Sequence, residues 1–222
     1  MNRTRRRLLA GVGTAGIATT AGCLSLDFIR GEEALSFEAE SARVTDSAVA
    51  DSGYTESRTD SDTIVREFAA GGQRREVEVT NQIAEYDRGI TVFGQRFRGA
   101  LFIVLSTPQV DLFDRTFNPV GDMDTDELIE MIQERYDEIG DVTREDEREA
   151  ELLDESREVV TYRADGEFLP TSLPVSLVDL TVHITEAVAV GDDFVLCVGI
   201  HPREIDDSDA IDTLLAGVEH HG

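Results

Sequence analysis

The chain has no lysine and no tryptophan, and only two cysteines and five prolines in 222 residues. Without lysine, its fixed positive side chains are all arginines, and 20 of them face 46 aspartates and glutamates. That balance argues against nucleic acid as a partner, because binding a phosphate backbone depends on cationic side chains. The two cysteines are Cys23 and Cys197. Once the first is assigned to lipid, no disulfide can form within the mature chain. Cys197 lies in the apolar run Phe194 to Ile200 and reads as a small core residue. Several signatures are also missing: a Gly-x-Ser-x-Gly elbow, a His-Glu-x-x-His helix, a phosphate-cradling glycine loop and a dinucleotide fingerprint. There is no Asp-x-Asp-x-Asp-Gly calcium loop either. Enzymatic activity therefore has no motif behind it, no cofactor is expected, and the reading leans away from an enzyme.

What is present begins at the first residues. Arg3, Arg5, Arg6 and Arg7 form a basic head, and Leu8 to Gly22 follow as an uncharged, mildly apolar run. These are the parts of an export signal. A helix of 15 residues spans ~22 Å, short of the ~30 Å hydrocarbon core, so a membrane-spanning helix is the lesser reading. Arg5 and Arg6, followed by Arg7-Leu8-Leu9, resemble a twin-arginine motif. Thr20-Ala21-Gly22-Cys23 resembles a lipobox, in which small residues admit a signal peptidase and the thiol takes up lipid. The expected division is a signal peptide over 1–22, a lipid-anchored tether over 23–34 with lipidation at Cys23, and one domain over 35–222. Stable anchoring needs two chains or a second membrane signal. The acidic body offers no second signal, so a two-chain lipid is expected. The protein would then sit on the extracellular face of the cell membrane.

Cleavage before Cys23 leaves 16 arginines against 46 acidic residues, a net charge near −30 on 200 residues. At low ionic strength such a domain repels itself. At ~1 M salt the Debye length falls to ~3 Å and the repulsion is largely muted. Apolar content is ordinary at 41%, so a folded protein of multimolar brine fits better than disorder.

Along the mature chain, Leu35 to Val44 reads as a strand and Thr45 to Ser52 as a short helix closed by Gly53. A hairpin is expected from Tyr54 to Ile83, turning at Ala70 to Gln73. Leu101 to Leu105 is an unbroken apolar run, the mark of a central strand covered on both faces. Asp124 to Glu127 opens a helix with a capping-box pattern, and Gly140 is expected to close it. Asp141 to Glu158 is densely charged and fits strand, loop or helix. Arg157 to Ala164, Leu177 to Val190 and Phe194 to Ile200 read as strands. A last helix, started by Asp207 or Ser208, carries Ile211, Leu214, Leu215 and Val218 at the spacing of a buried stripe. The sum is an α+β domain, an antiparallel sheet with two main helices packed on one face.

Two groups are candidate sites. If Gly191-Asp192-Asp193 is a three-residue hairpin loop, Val190 faces Phe194, and the apolar residues of both strands gather on one face. That register sets His183 opposite His201, and Ala187 opposite Cys197. Two imidazoles so placed could bind a metal, though no third ligand is fixed. Arg115 and Asn118 border the turn at Pro119 and could line a pocket loop. Asn118-Pro119 as a plain turn is the simpler reading. The terminal His220 and His221 are expected to fray.

The pieces Ser52-Gly53-Tyr54, Val77 to Asn81, Tyr86, Ser106-Thr107-Pro108, Phe117 to Met123, Gly191 to Phe194 and Gly217 to His220 resemble a domain family of haloarchaeal lipoproteins exported by the twin-arginine route. That family carries no assigned activity, so the resemblance implies compartment and anchoring alone. The order of elements is similar, more distantly, to the PsbP/Mog1-like fold, which hosts binding and assembly factors. The functional expectation is a binding or assembly module, held to the membrane by its lipid, whose partner is an envelope protein or a small solute. A metal-dependent hydrolase using His183 and His201, or a passive structural protein of the envelope, are the alternatives.

Overall fold

The computed structural model describes residues 35–70, 73–92, 95–112, 115–116, 118–135, 139–166 and 178–222. Arg5, Arg6, Cys23 and the tether lie outside the described residues.

The described chain opens with two short strands, β1 (Leu35–Glu38) and β2 (Ala42–Val44), and helix α1 (Asp46–Ser52). Three long strands follow, β3 (Thr55–Ala70), β4 (Gln73–Val92) and β5 (Gln95–Pro108). A small hairpin, β6 (Asp111–Leu112) and β7 (Arg115–Thr116), leads through a 3-10 turn at Pro119–Asp122 to helix α2 (Thr125–Arg135). Then come β8 (Ile139–Leu152), β9 (Glu155–Gly166), β10 (Val178–Thr185), β11 (Val188–Val190) and β12 (Asp193–Pro202). Helix α3 (Ser208–Ala216) and β13 (Val218–His220) finish the chain.

Among the described residues the main sheet has nine strands. Its spine runs β3, β4, β5, β12, β10, β9, β8, with β11 continuing β10 along β12. These neighbours are antiparallel, whereas β1 pairs parallel with β4, which makes the sheet mixed. A separate pair, β2 with β13, ties the end of the chain to its beginning.

The two main helices lie on opposite faces, not on one. Side chains alternate along each strand, so each strand serves both faces. Leu128 and Ile129 of α2 pack with Leu101, Val160, Val182, Ile184 and Val198. Ile211, Leu214 and Leu215 of α3, with Ala48 of α1, pack on the other face with Phe102, Val104, Val159, Val195 and Cys197. Both helical stripes are apolar, and their spacing does not encode which side of a two-faced sheet receives them. The apolar run Leu101 to Leu105 is the central strand expected, covered on both sides.

Local signals set several boundaries. Thr45 caps α1 by accepting from the Ala48 amide, and Gly53 ends it with φ of 75°. At α2, Asp124 and Glu127 exchange side chain-to-amide bonds at 2.9 and 3.2 Å, a reciprocal capping box. That helix ends by Arg135, and Gly140 belongs to β8 instead of closing it. The charged stretch 141–158 is the β8–β9 hairpin, whose two-residue turn holds Leu153 and Asp154 at φ of 53° and 62°. Leu153 packs on the core, but Asp154 is exposed. Asp154→Gly should therefore stabilise the domain by about 1 kcal/mol, by removing left-handed strain. Chemical denaturation checks this, and an unchanged midpoint counts against it.

Candidate functional site

The two candidate histidines meet on the α3 face of the sheet. His183 lies on β10 and His201 on β12, and both are buried. Their pairing differs from expectation. The β11–β12 turn is the two-residue Gly191-Asp192, with Val190 opposite Asp193. A break at Glu186-Ala187 then shifts the register, so that His183 faces Gly199 and Thr181 faces His201. The histidines are diagonal neighbours, with Nε2 atoms 3.0 Å apart and ring centres 5.2 Å apart. The displacement is two residues, which preserves the face, so the imidazoles still meet. Gly199 makes room for α3 above them, since a Cβ there would stand 2.6 Å from Ile211 Cδ1.

Neighbours fix the protons. Arg148 Nη1, an obligatory donor, lies 3.2 Å from His183 Nδ1. That nitrogen therefore accepts, and the ring proton of neutral His183 sits on Nε2. His183 Nε2 donates to His201 Nε2. His201 Nδ1 in turn donates to the Pro202 carbonyl at 3.0 Å. Thr161, opposite His183 on β9, brings its hydroxyl within 3.1 Å of the same Nδ1. Arg148 is held from outside by Asp212 of α3, with Nη2–Oδ1 at 2.6 Å and Nε–Oδ1 at 3.1 Å. From Arg148, hydrogen bonds thus run outward to a half-exposed carboxylate and inward through two buried imidazoles to a carbonyl. Burial, then the positive charge of Arg148, pushes the His183 pKa down to about 3.

This chain is a poor metal centre. A histidine that ligates metal through Nε2 donates its Nδ1 proton to an acceptor. His201 meets that condition through Pro202, but His183 has a guanidinium donor and positive charge against its Nδ1. Among the described residues, no group of three or more His, Cys, Asp or Glu side chains could hold a metal ion.

Asn118 is buried and fully engaged. Its Oδ1 accepts from the Val120 amide at 3.2 Å, and its Nδ2 donates to Thr107 Oγ1 at 2.9 Å and to the Pro108 carbonyl at 2.7 Å. Thr107 passes the chain on to Asn81 at 2.7 Å. Asn118 anchors the turn to the sheet. Arg115 lies on β7 opposite Leu112, and its side chain is outside the described residues.

Asp207 and His220 were not read from the sequence as internal partners. Asp207 is buried at the start of α3 and gives no capping bond there. It accepts instead from Tyr54 Oη at 2.6 Å and pairs with Arg88 at 2.6 Å. Burial, and then the bond to Asp207, raises the Tyr54 pKa. His220 does not fray. It lies in β13, with Nε2 2.8 Å from Asp193 Oδ2, and both side chains are buried. Cys197 is buried, and burial raises its thiol pKa well out of the reactive range. Arg148 and Asp212 fall in charge-rich segments where nothing local sets them apart from their neighbours. The packing of α3 against β8 brings them together.

No helix among the described residues is long and apolar enough to cross a membrane. In comparisons with known proteins, the model of one family, a domain of unknown function (DUF6517), matches residues 41–219. No curated protein and no solved structure matches the chain.

Proposed function

The chain belongs to the DUF6517 family, and we propose that it is a lipid-anchored binding or assembly domain of the extracellular membrane face of a halophile. One observation carries the non-enzymatic part of this reading. The side chains best suited to chemistry are spent inside the fold: His183 and His201 on each other, on Arg148 and on Pro202, and Cys197 within the core. A catalytic imidazole needs a nitrogen open to substrate, and here each ring nitrogen already has a partner. The anchoring part rests on the leader, with Arg5 and Arg6 for export and Cys23 for lipid. The acidic body supports a haloarchaeal origin. Helices on both faces of a largely antiparallel sheet support a PsbP/Mog1-like architecture, by analogy of layers. An envelope protein is the first choice of partner, and a small solute the second.

Cys23→Ala tests the anchor. The variant should leave the membrane fraction for the medium, or accumulate unprocessed. Normal processing with full membrane retention would defeat it.

A further inference from the structure

We propose that two copies of this domain pair through strand β3, edge to edge and antiparallel about a two-fold axis at Ile64. Among the described residues β3 bonds only to β4, leaving its far edge as a row of backbone donors and acceptors. Such an edge is a template for another strand. From Thr55 to Glu67 its side chains are exposed or half-exposed on both faces. Val65 is 54% exposed, and no other large apolar side chain among the described residues is comparably open.

Charge selects the occupant. Eight described arginines hold a carboxylate within ion-pair distance. Arg66, in a chain this rich in acid, makes no ion pair among the described residues. A partner strand should therefore bring an acid to Arg66 and an apolar or β-branched side chain to Val65. The strand itself supplies both. With Ile64 against its own copy, Arg66 falls opposite Asp62 twice over, Thr63 opposite Val65, and no like charges oppose each other. Opposite charges in directly facing positions favour pairing, and like charges oppose it. A two-fold interface is self-complementary in this way. Each copy is strongly acidic, so the pairing belongs to high salt, where the remaining repulsion is screened.

Cross-linking reads the register directly. Facing residues in an antiparallel pair have Cα atoms ~4.5–5.5 Å apart, within disulfide reach. The full chain is used in a Cys23→Ser background at about 3 M salt, so the result does not depend on the lipid. Mild oxidation of Ile64→Cys should give a covalent dimer, while Ser61→Cys, which would face Glu67, should form no cross-link. Arg66→Asp should weaken association about tenfold by sedimentation, and Asp62→Arg combined with Arg66→Asp should restore it. Equal cross-linking of Ile64→Cys and Ser61→Cys, or a monomeric wild type at about 0.1 mM, about a hundred times a Kd of ~1 μM, would overturn the proposal.

Discussion

Lowering the pH from 7 to 4 should cost the domain about 3 kcal/mol of stability through His183 alone. The sign follows from the direction of the shift. In the unfolded chain His183 titrates near 6.5, and in the fold burial and Arg148 hold it down to about 3. Above 6.5 both states are neutral and the contribution is complete. Between 6.5 and 3 the unfolded state binds a proton that the folded state refuses, and stability falls by about 1.4 kcal/mol per pH unit. Protonation of the many carboxylates relieves repulsion over the lower part of the same range, with the opposite sign. Comparison with His183→Gln isolates the histidine, because the carboxylates are common to both proteins. Denaturant unfolding at pH 7, 5.5 and 4 in high salt should give wild type the steeper loss. Parallel curves for the two proteins would refute the assigned proton pattern.

Removal of salt should have the larger effect. Dialysis to ~0.1 M lengthens the Debye length to ~10 Å, against ~3 Å at 1 M, and lets the acidic residues act across the surface. They are concentrated where the fold gives them least relief. On β8, Glu145, Asp146, Glu147, Glu149 and Glu151 are all exposed. Arg144 and Arg203 meet part of this charge, at Glu147 and Glu145, but exposed pairs each contribute only about 0–1 kcal/mol. The expected result is loss of cooperative β-sheet circular dichroism below a few tenths molar salt, regained on return to brine. A melting curve unchanged between 0.1 M and 3 M would remove the argument from charge.

Local chemistry was legible in the sequence, and long-range pairing was not. Thr45, Gly53 and the Asp124–Glu127 box set helix ends as their residue types require. Leu101 to Leu105 announced a strand buried on both faces. The meeting of His183 and His201 followed from side-chain alternation, and survived an error of two residues because alternation has a period of two. One residue of this error came from the turn, which closes in two residues and not three, and one from the break at Glu186-Ala187, which has no glycine or proline to betray it. Arg148 was hidden for another reason. In a segment where charged residues dominate, one arginine turned inward looks like any other, and its neighbour Asp212 lies 64 residues away. The side of the sheet taken by each helix was likewise a matter of connection, not composition.

The proposed anchor requires a leader cut before Cys23 and lipid on the Cys23 sulfur. Mass spectrometry of the N-terminal peptide, taken from membrane-held protein, tests this most directly. The predicted result is a chain beginning at Cys23 with lipid mass on its sulfur. An uncut chain starting at Met1 with a free thiol would contradict it.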